Sequence, residues 1–351
     1  MKVKKSLFWL GMLFILVLAA CGGNDSSTEP ANNEAQAVEA VESSGDVKTL
    51  RLSIGVNEGH PQEIAAQKFK ELVEERSEDF KVEVYHSGQI ADDRTATEML
   101  QLGSLEITIP STSPVVNFVP EYGVFDLPFT IPNAEVADKV LDGPFGDKML
   151  GLLESQNIVG LAWWENGFRQ LTNNERPVAT LEDVKGLSVR TMENEIHIDA
   201  WAALGANPTP IAFTELFAAL QQGTIDGQEN PYPNIEMSRF YEVQNYMSNT
   251  NHVYTPFVFL MSKPVWEEMT EEQQTLIREA AVEAGQYNRE VNRQGDQESL
   301  DKLKEELEFT EISPEEIQRF RDAVAPVIEK HADAIGREIV EEYLAEIENQ
   351  S

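Results

Sequence analysis

Apolar and polar residues alternate at Leu50, Leu52, Ile54 and Val56, which predicts a strand over 49–56. The period then lengthens. Ile64, Phe69, Leu72 and Val73 fall at helical spacing and Pro61 suits a first turn, so a helix is expected over 61–77. Val82 and Val84, next to Tyr85, mark a second strand; 92–101 reads as a helix anchored by Met99 and Leu100; Leu105–Ile109 reads as a short buried strand. Further strands are expected at 157–163 and 186–190, the latter ending in Arg190. Helices are expected over 194–204, closed by Gly205, and 214–222, stopped by Gly223, with a new strand starting at Thr224-Ile225-Asp226. Residues 265–295 predict one long helix or two collinear ones, with Thr270 and Gln273 at capping-box spacing. Ser313-Pro314-Glu315-Glu316 starts another helix, and the chain closes in charged helix to Glu348. This alternation of strands and helices is the signature of an α/β fold.

The first residues break the pattern. Lys2, Lys4 and Lys5 precede an uncharged apolar run from Leu7 to Leu18, too short for a comfortable membrane span and matching a secretory leader. It ends in Leu18-Ala19-Ala20-Cys21, small residues before the single cysteine of the chain. That arrangement predicts a lipoprotein signal peptide over 1–20 and acylation of Cys21. With one cysteine there is no intrachain disulfide and no other thiol nucleophile. Residues 21–46 are small, polar and acidic, and predict a flexible tether. About 305 residues remain, which fits two domains better than one core.

The precursor carries a formal charge of −34, and loss of Lys2, Lys4 and Lys5 with the leader makes it −37. Nucleic acid and anionic lipid are therefore poor partners. No nucleophile elbow, zinc-helix, phosphate-loop or dinucleotide-loop motif occurs, and the five histidines (60, 86, 197, 252 and 331) form no metal-binding pair on one helix face. His197 and Asp199, two apart, face opposite sides of a helix, and Glu193 with Glu195 read as solvated acids. No catalytic residue, metal ligand or cofactor is expected. What stands out is cations at strand ends: Arg190 where 186–190 stops, and Arg169 just beyond 157–163. A guanidinium there offers a planar fork to a carboxylate, and open α/β sheets bind ligands beyond the carboxyl ends of their strands. Either arginine alone is more often a surface ion pair. Asn230, before Pro231, has the bland reading of a turn residue, and Phe213 that of a core residue.

Five ordered segments change that balance. They are Glu165-Asn166-Gly167-Phe168-Arg169-Gln170-Leu171-Thr172-Asn173, Leu187-Ser188-Val189-Arg190-Thr191-Met192, Leu204-Gly205-Ala206-Asn207-Pro208-Thr209-Pro210, Ala219-Leu220-Gln221-Gln222-Gly223-Thr224-Ile225-Asp226-Gly227-Gln228-Glu229-Asn230-Pro231 and Thr250-Asn251-His252. Through them, residues 48–345 resemble the DctP-type solute-binding proteins of TRAP (tripartite ATP-independent periplasmic) transporters. The resemblance implies a two-domain periplasmic-binding-protein-like α/β fold, with a ligand cleft between the domains and a long backbone helix. The domains are expected at 47–166 with 256–295, and at 167–255 with 296–351. By motif, Arg190 resembles the principal carboxylate ligand and Arg169 a second cationic contact or a support for the first. Asn230 resembles an amide on the same carboxylate, Phe213 the aromatic that packs on the ligand, and Asn57 a contact from the opposite domain. Sialate-binding members place an acid and an arginine where this chain has Pro110-Ser111-Thr112-Ser113-Pro114. That departure points to a smaller sugar acid or a C4-dicarboxylate; Ser111, Thr112 and Ser113 read by default as a loop and are the candidates to bond substrate hydroxyls. The implied partners are a small organic anion, the membrane subunits of a TRAP system, and the bilayer through acylated Cys21, on the extracytoplasmic side of the cell membrane. A receptor of the same fold feeding a sensor kinase, an extracytoplasmic sugar-acid enzyme and a structural surface lipoprotein are the other readings.

Overall fold

Eleven strands among the described residues sort into two mixed sheets. They are β1 (Lys48–Ser53), β2 (Phe80–Tyr85), β3 (Ile107–Thr108), β4 (Ile158–Phe168), β5 (Gln170–Asn173), β6 (Ser188–Thr191), β7 (Asn207–Pro210), β8 (Gly227–Asn230), β9 (Tyr246–Ser248), β10 (Tyr254–Ser262) and β11 (Glu308–Thr310). The computed structural model describes residues 47–351; the predicted leader, Cys21 and the tether lie outside the described residues.

The first sheet has the order β2-β1-β3-β10-β4, the second β11-β9-β5-β8-β6-β7. In the first, β1, β2 and β3 are parallel and β10 runs antiparallel to both β3 and β4. In the second, β6 lies parallel to β7 and β8, while β5 runs antiparallel to β8 and β9. The chain crosses between sheets three times: from β4 through Arg169 into β5, from β9 into β10, and from β10 through the helix Glu271–Glu306 into β11; the first two crossings are neighbours. These two are tied together, since Arg169 N–H donates to the Val253 carbonyl at 3.0 Å. Gly167, at φ +124°, takes a backbone conformation that L side chains rarely adopt just before the first crossing.

The helix Pro61–Arg76 buries Ala65, Ala66, Phe69, Leu72 and Val73 against the first sheet; Phe69, Leu72 and Val73 follow the sequence spacing, whereas Ile64 is exposed and the two alanines take its place. Its cap is His60, whose Nδ1 accepts from Gln62 N–H at 3.0 Å. The predicted helix at 265–295 divides into Lys263–Glu267 and Glu271–Glu306. Thr270 and Gln273 form the expected capping box. The second piece runs eleven residues further than the pattern suggested. Between 296 and 306 only Ser299 and Leu303 are buried, so there is little apolar period to read although the helix continues. Two strands also differ from expectation. The 105–109 strand pairs only at Ile107–Thr108, although Leu105 and Ile109 stay buried, and the strand expected from Thr224 starts at Gly227. Asp226 instead caps the entry to β6, accepting from Ser188 N–H at 2.7 Å.

The 36-residue helix Glu271–Glu306 packs along β4, then reaches the helix Tyr232–Met237 and β11 beside the second sheet. Its polar middle is bonded into the first crossing. Asn288 Oδ1 accepts from Glu165 N–H at 2.6 Å, and Asn292 Nδ2 donates to Glu165 Oε1 at 3.2 Å. Arg293 Nη2 donates to Glu165 Oε2 at 2.7 Å. One turn earlier the helix backbone approaches Trp164, whose Nε1 donates to the Ala281 carbonyl at 3.0 Å. Gly285 makes that approach possible, because a Cβ there would lie 2.7 Å from Trp164 Cδ1 and 3.1 Å from the Trp163 carbonyl. Gly285→Ala should therefore destabilise, despite alanine's better helix propensity. We expect a loss of about 1–3 kcal/mol, the usual cost of overpacking, read from the urea midpoint. An unchanged or raised midpoint would show that the helix yields there without cost.

Candidate functional site

The pocket that matters lies where the second sheet's strand ends face the first. It encloses about 520 Å³, part of it open to solvent, and Gln62, Asp93, Asn166, Arg190, Phe213 and Asn230 are among its lining residues. Arg190 and Asn230 arrive together because β6 and β8 are parallel neighbours, with Arg190 paired in register with Gln228. Arg169 joins them from the first crossing, and Phe213 from the start of the helix Phe213–Gln221.

The two arginines have opposite situations. Arg169 is 1% exposed and its charge is already matched: Nε donates to Glu229 Oε2 at 2.5 Å and Nη2 to Glu229 Oε1 at 2.9 Å. Nη2 also donates to Asn230 Oδ1 at 3.0 Å. His252 Nε2 stands 3.0 Å from Glu229 Oε2. Burial alone would raise the Glu229 pKa; the Arg169 charge and the His252 bond overcome this and hold it well below the usual carboxylate range. Through its Nη2 bond Arg169 orients the Asn230 amide.

Arg190 is 2% exposed, and its Nε donates to the Ile211 carbonyl at 2.7 Å. Its Nη1 is buried with no hydrogen-bond partner among the described residues. Burial lowers its pKa to about 10, with the Glu229 charge opposing, so it stays cationic at neutral pH. An unpaired buried cation is costly in a native structure, and a functional anion is the usual reason to keep one.

Asn230 spends Oδ1 on Arg169 and donates one Nδ2 hydrogen to Gln228 Oε1 at 2.5 Å, leaving its second hydrogen for the pocket. Phe213 is half-buried and meets Phe240 edge-on, ring centroids 5.9 Å apart. Asn57 is not among the lining residues. Its Nδ2 donates to the Met237 carbonyl at 3.3 Å, a bond between residues flanking opposite sheets. Of the three hydroxyl residues singled out, only Ser111 reaches the pocket; Ser113 bonds Asp126, and Thr112 lies buried behind.

Sequence reasoning passed over several lining groups. Asp93 follows the helix N-cap Asp92 and reads as an ordinary first-turn acid, yet it lines the pocket and accepts Ser111 N–H on Oδ2 at 3.1 Å. Part of the residue is open to the cleft, but its carboxyl is enclosed, and burial pushes its pKa up to about 7 against the Ser111 bond. Gly55 leaves it room, since a Cβ there would sit 3.1 Å from Asp93 Oδ1. Gln62 looks like any second residue of a helix. Glu193, read as solvated, also lines the pocket, 3.7 Å from Arg94 Nη1, whereas Glu195 is exposed. His197 and Asp199 do face apart: His197 bonds Asp126 at 2.8 Å and Asp199 meets His331 at 2.5 Å. Among the described residues no cluster of His, Cys, Asp and Glu is placed to hold a metal.

Comparison with known proteins agrees with this geometry. Residues 52–334 match the DctP family, described as bacterial extracellular solute-binding protein, family 7. A solute-binding protein of Verminephrobacter eiseniae is 37% identical over 295 residues, 84% of this chain and 88% of the relative. The C4-dicarboxylate-binding protein DctB of Bacillus subtilis is 33% identical over 302 residues, 85% of this chain and 86% of its own. Among solved structures, the sugar acid binding protein DctPAm of Advenella mimigardefordensis, in complex with galactonate, superposes with a TM-score of 0.85 at 41% identity. That match covers 87% of this chain and 99% of the other. These two-domain structures with a long helix share the α/β architecture described above.

The contrast between the arginines has a measurable consequence for stability. Arg169→Ala strands the buried Glu229 charge and should cost about 3–5 kcal/mol. Arg190→Ala removes an unpaired buried charge and should leave the urea midpoint of the free protein unchanged or raised. Equal losses would mean that Arg190 has a structural partner.

Proposed function

Because the chain belongs to the DctP family of bacterial extracellular solute-binding proteins, we propose that it captures a small organic carboxylate outside the cytoplasm and delivers it to the membrane subunits of a TRAP transporter. The observation that carries this reading is the buried, unpartnered Arg190 Nη1 inside the pocket. A carboxylate on that fork gains charge-assisted bonds in a site from which water is largely excluded. Asn230 adds a donor to the same carboxylate, Arg169 holds Asn230 through the Glu229 pair, and Phe213 covers the carbon chain. Relatives of both candidate kinds exist: the Bacillus subtilis protein is named for C4-dicarboxylates, and the Advenella structure holds galactonate.

Capture follows from the architecture. The lobes, proposed at 47–166 with 256–295 and at 167–255 with 296–351, close on the ligand by bending at the crossings. Bonds such as Asn57 to Met237 form part of the closed state. Binding without chemistry fits a pocket whose polar groups include no nucleophile set against a base. Cys21, acylated twice, keeps the receptor at the membrane, since one chain binds a bilayer only marginally.

A thermal-shift screen against C4-dicarboxylates, uronates, aldonates, keto acids and amino acids tests the main reading. A ligand at a hundred times its Kd adds about 2.7 kcal/mol of stability, and the shift should vanish in Arg190→Ala. Stabilisation by neutral or cationic compounds only, or a hit that survives Arg190→Ala, would overturn it. The anchor is tested separately by fractionating cells that produce the chain. Wild type should sediment with membranes and incorporate labelled palmitate, and Cys21→Ser should do neither. Label on Cys21→Ser would place the lipid elsewhere.

A further inference from the structure

The polar groups of the pocket are not scattered evenly between its two sides. The donors belong to the second sheet: Arg190 Nη1 at the end of β6 and the spare Asn230 Nδ2 hydrogen at the end of β8. Facing them, the groups that lack partners are acceptors. Gln62 is 1% exposed and its Nε2 donates to the Ile109 carbonyl at 2.7 Å. That bond fixes which way the amide points and leaves Oε1 buried without a donor. Asn166, from β4, uses Nδ2 on Thr255 Oγ1 at 3.3 Å, and its Oδ1 is likewise buried and unpaired. Asp93 completes the set, with one carboxylate oxygen engaged by Ser111 N–H.

The other charges at the pocket are already occupied. Asp92 accepts from Arg94 N–H at 3.0 Å and from Thr95 N–H at 3.1 Å, capping its helix. Glu193 sits near Arg94. Arg169 is paired with Glu229 through Nε and Nη2, which leaves Arg190 as the cation without an ion-pair partner. The pocket therefore offers one place for a negative charge and, opposite it, a wall that asks for hydrogen-bond donors.

We propose that the ligand is a polyhydroxy monocarboxylate of the aldonate type, its carboxylate on Arg190 and its chain hydroxyls donating to Gln62 Oε1, Asn166 Oδ1 and Asp93. This rests on the reading of Arg190 as carboxylate anchor and goes beyond it by excluding a second carboxylate. Each hydroxyl supplies one hydrogen, which matches one buried acceptor. A C4-dicarboxylate would set two more acceptor oxygens and a second negative charge against the same wall. Gln62 Oε1 and Asn166 Oδ1 would stay unpaired and Asp93 would meet a like charge, and a site left with unpaired buried polar groups discriminates strongly. Ser111 is neutral in this choice, because a hydroxyl donates or accepts as needed.

Titration calorimetry at about pH 8, where Asp93 and both carboxylates of succinate are ionised, decides the matter. The probes are erythronate, threonate, gluconate and galactonate against succinate and fumarate. At least one aldonate should bind roughly thirtyfold or more tightly than either dicarboxylate. Asp93→Asn should narrow that gap by about tenfold, chiefly by improving succinate. Gln62→Leu should weaken the aldonate about tenfold and leave succinate little changed. A loss shared equally by both classes would overturn the assignment of Gln62. Tightest binding by succinate or fumarate, abolished in Arg190→Ala, would overturn the proposal while the carboxylate reading stands, as would no heat with any aldonate. Aldonate binding that persists in Arg190→Ala would remove the carboxylate reading and this proposal with it.

Discussion

The ion pair between Arg169 and Glu229 sits where the chain first crosses from one sheet to the other, and much of the site is built on it. Both side chains are almost fully buried, so neither charge is tolerable alone. Their bidentate contact fixes the crossing relative to β8, and Arg169 Nη2 carries that order on to Asn230. His252 brings the second crossing into the same group through Glu229, and Thr250 Oγ1 bonds His252 Nδ1 at 2.8 Å. A buried charged cluster contributes little net stability compared with an apolar core of equal size. What it contributes here is geometry: two crossings, the end of β8 and one pocket amide are set by a single arrangement.

Arg190 is the complement of that arrangement. It sits on the adjacent strand, equally buried, with one fork nitrogen left free. Were Glu229 within reach of both arginines, the pocket would be electrically satisfied and indifferent to anions. Because Arg169 takes Glu229 bidentately, Arg190 keeps Nη1 buried without a partner, the vacancy on which the proposed carboxylate site rests. The net charge of −34 does not contradict this. Exposed acids are screened within about 8 Å at physiological salt, whereas a partner inside a desolvated pocket is not. The surface therefore slows anion approach without setting affinity, and the local donors decide what stays bound.

The legible parts of the fold were those with a period long enough to read. The helices at 61–76 and 195–203 and the strands at β1, β2 and β6 follow their spacing closely. The strands that escaped notice lack such a signal. β7 reads Asn-Pro-Thr-Pro and survives because it is a sheet edge, where proline's missing donor does no harm. β9 and β11 are three residues each. β10 is a continuous apolar run interrupted by Pro256, tolerated because the register against β4 shifts there. Arg190, Arg169 and Asn230 were legible as cations and an amide beyond strand ends, and the ordered motifs gave them roles. Which arginine is neutralised was not legible, because Glu229 is sixty residues from Arg169 in sequence. Gln62 and Asp93 carry no local mark at all. Each is a sound residue for the first turn of a helix, and only the way those helices pack on the first sheet brings them to the pocket opposite β6 and β8.

That last point explains how such a site changes ligand without changing fold. The proposed anion end is made from strand termini whose neighbours are set by backbone pairing, so where Arg190 and Asn230 start is fixed by β6 and β8. The acceptor end is made from side chains at the starts of two helices, Pro61–Arg76 and Asp93–Gln101, together with Asn166. Gln62 and Asp93 lie within helices already capped by His60 and Asp92, so exchanging them leaves the caps in place. On the proposed reading, what separates the two ends is therefore how each is positioned: the anion end by the pairing of β6 with β8, the acceptor end by the seating of two helices.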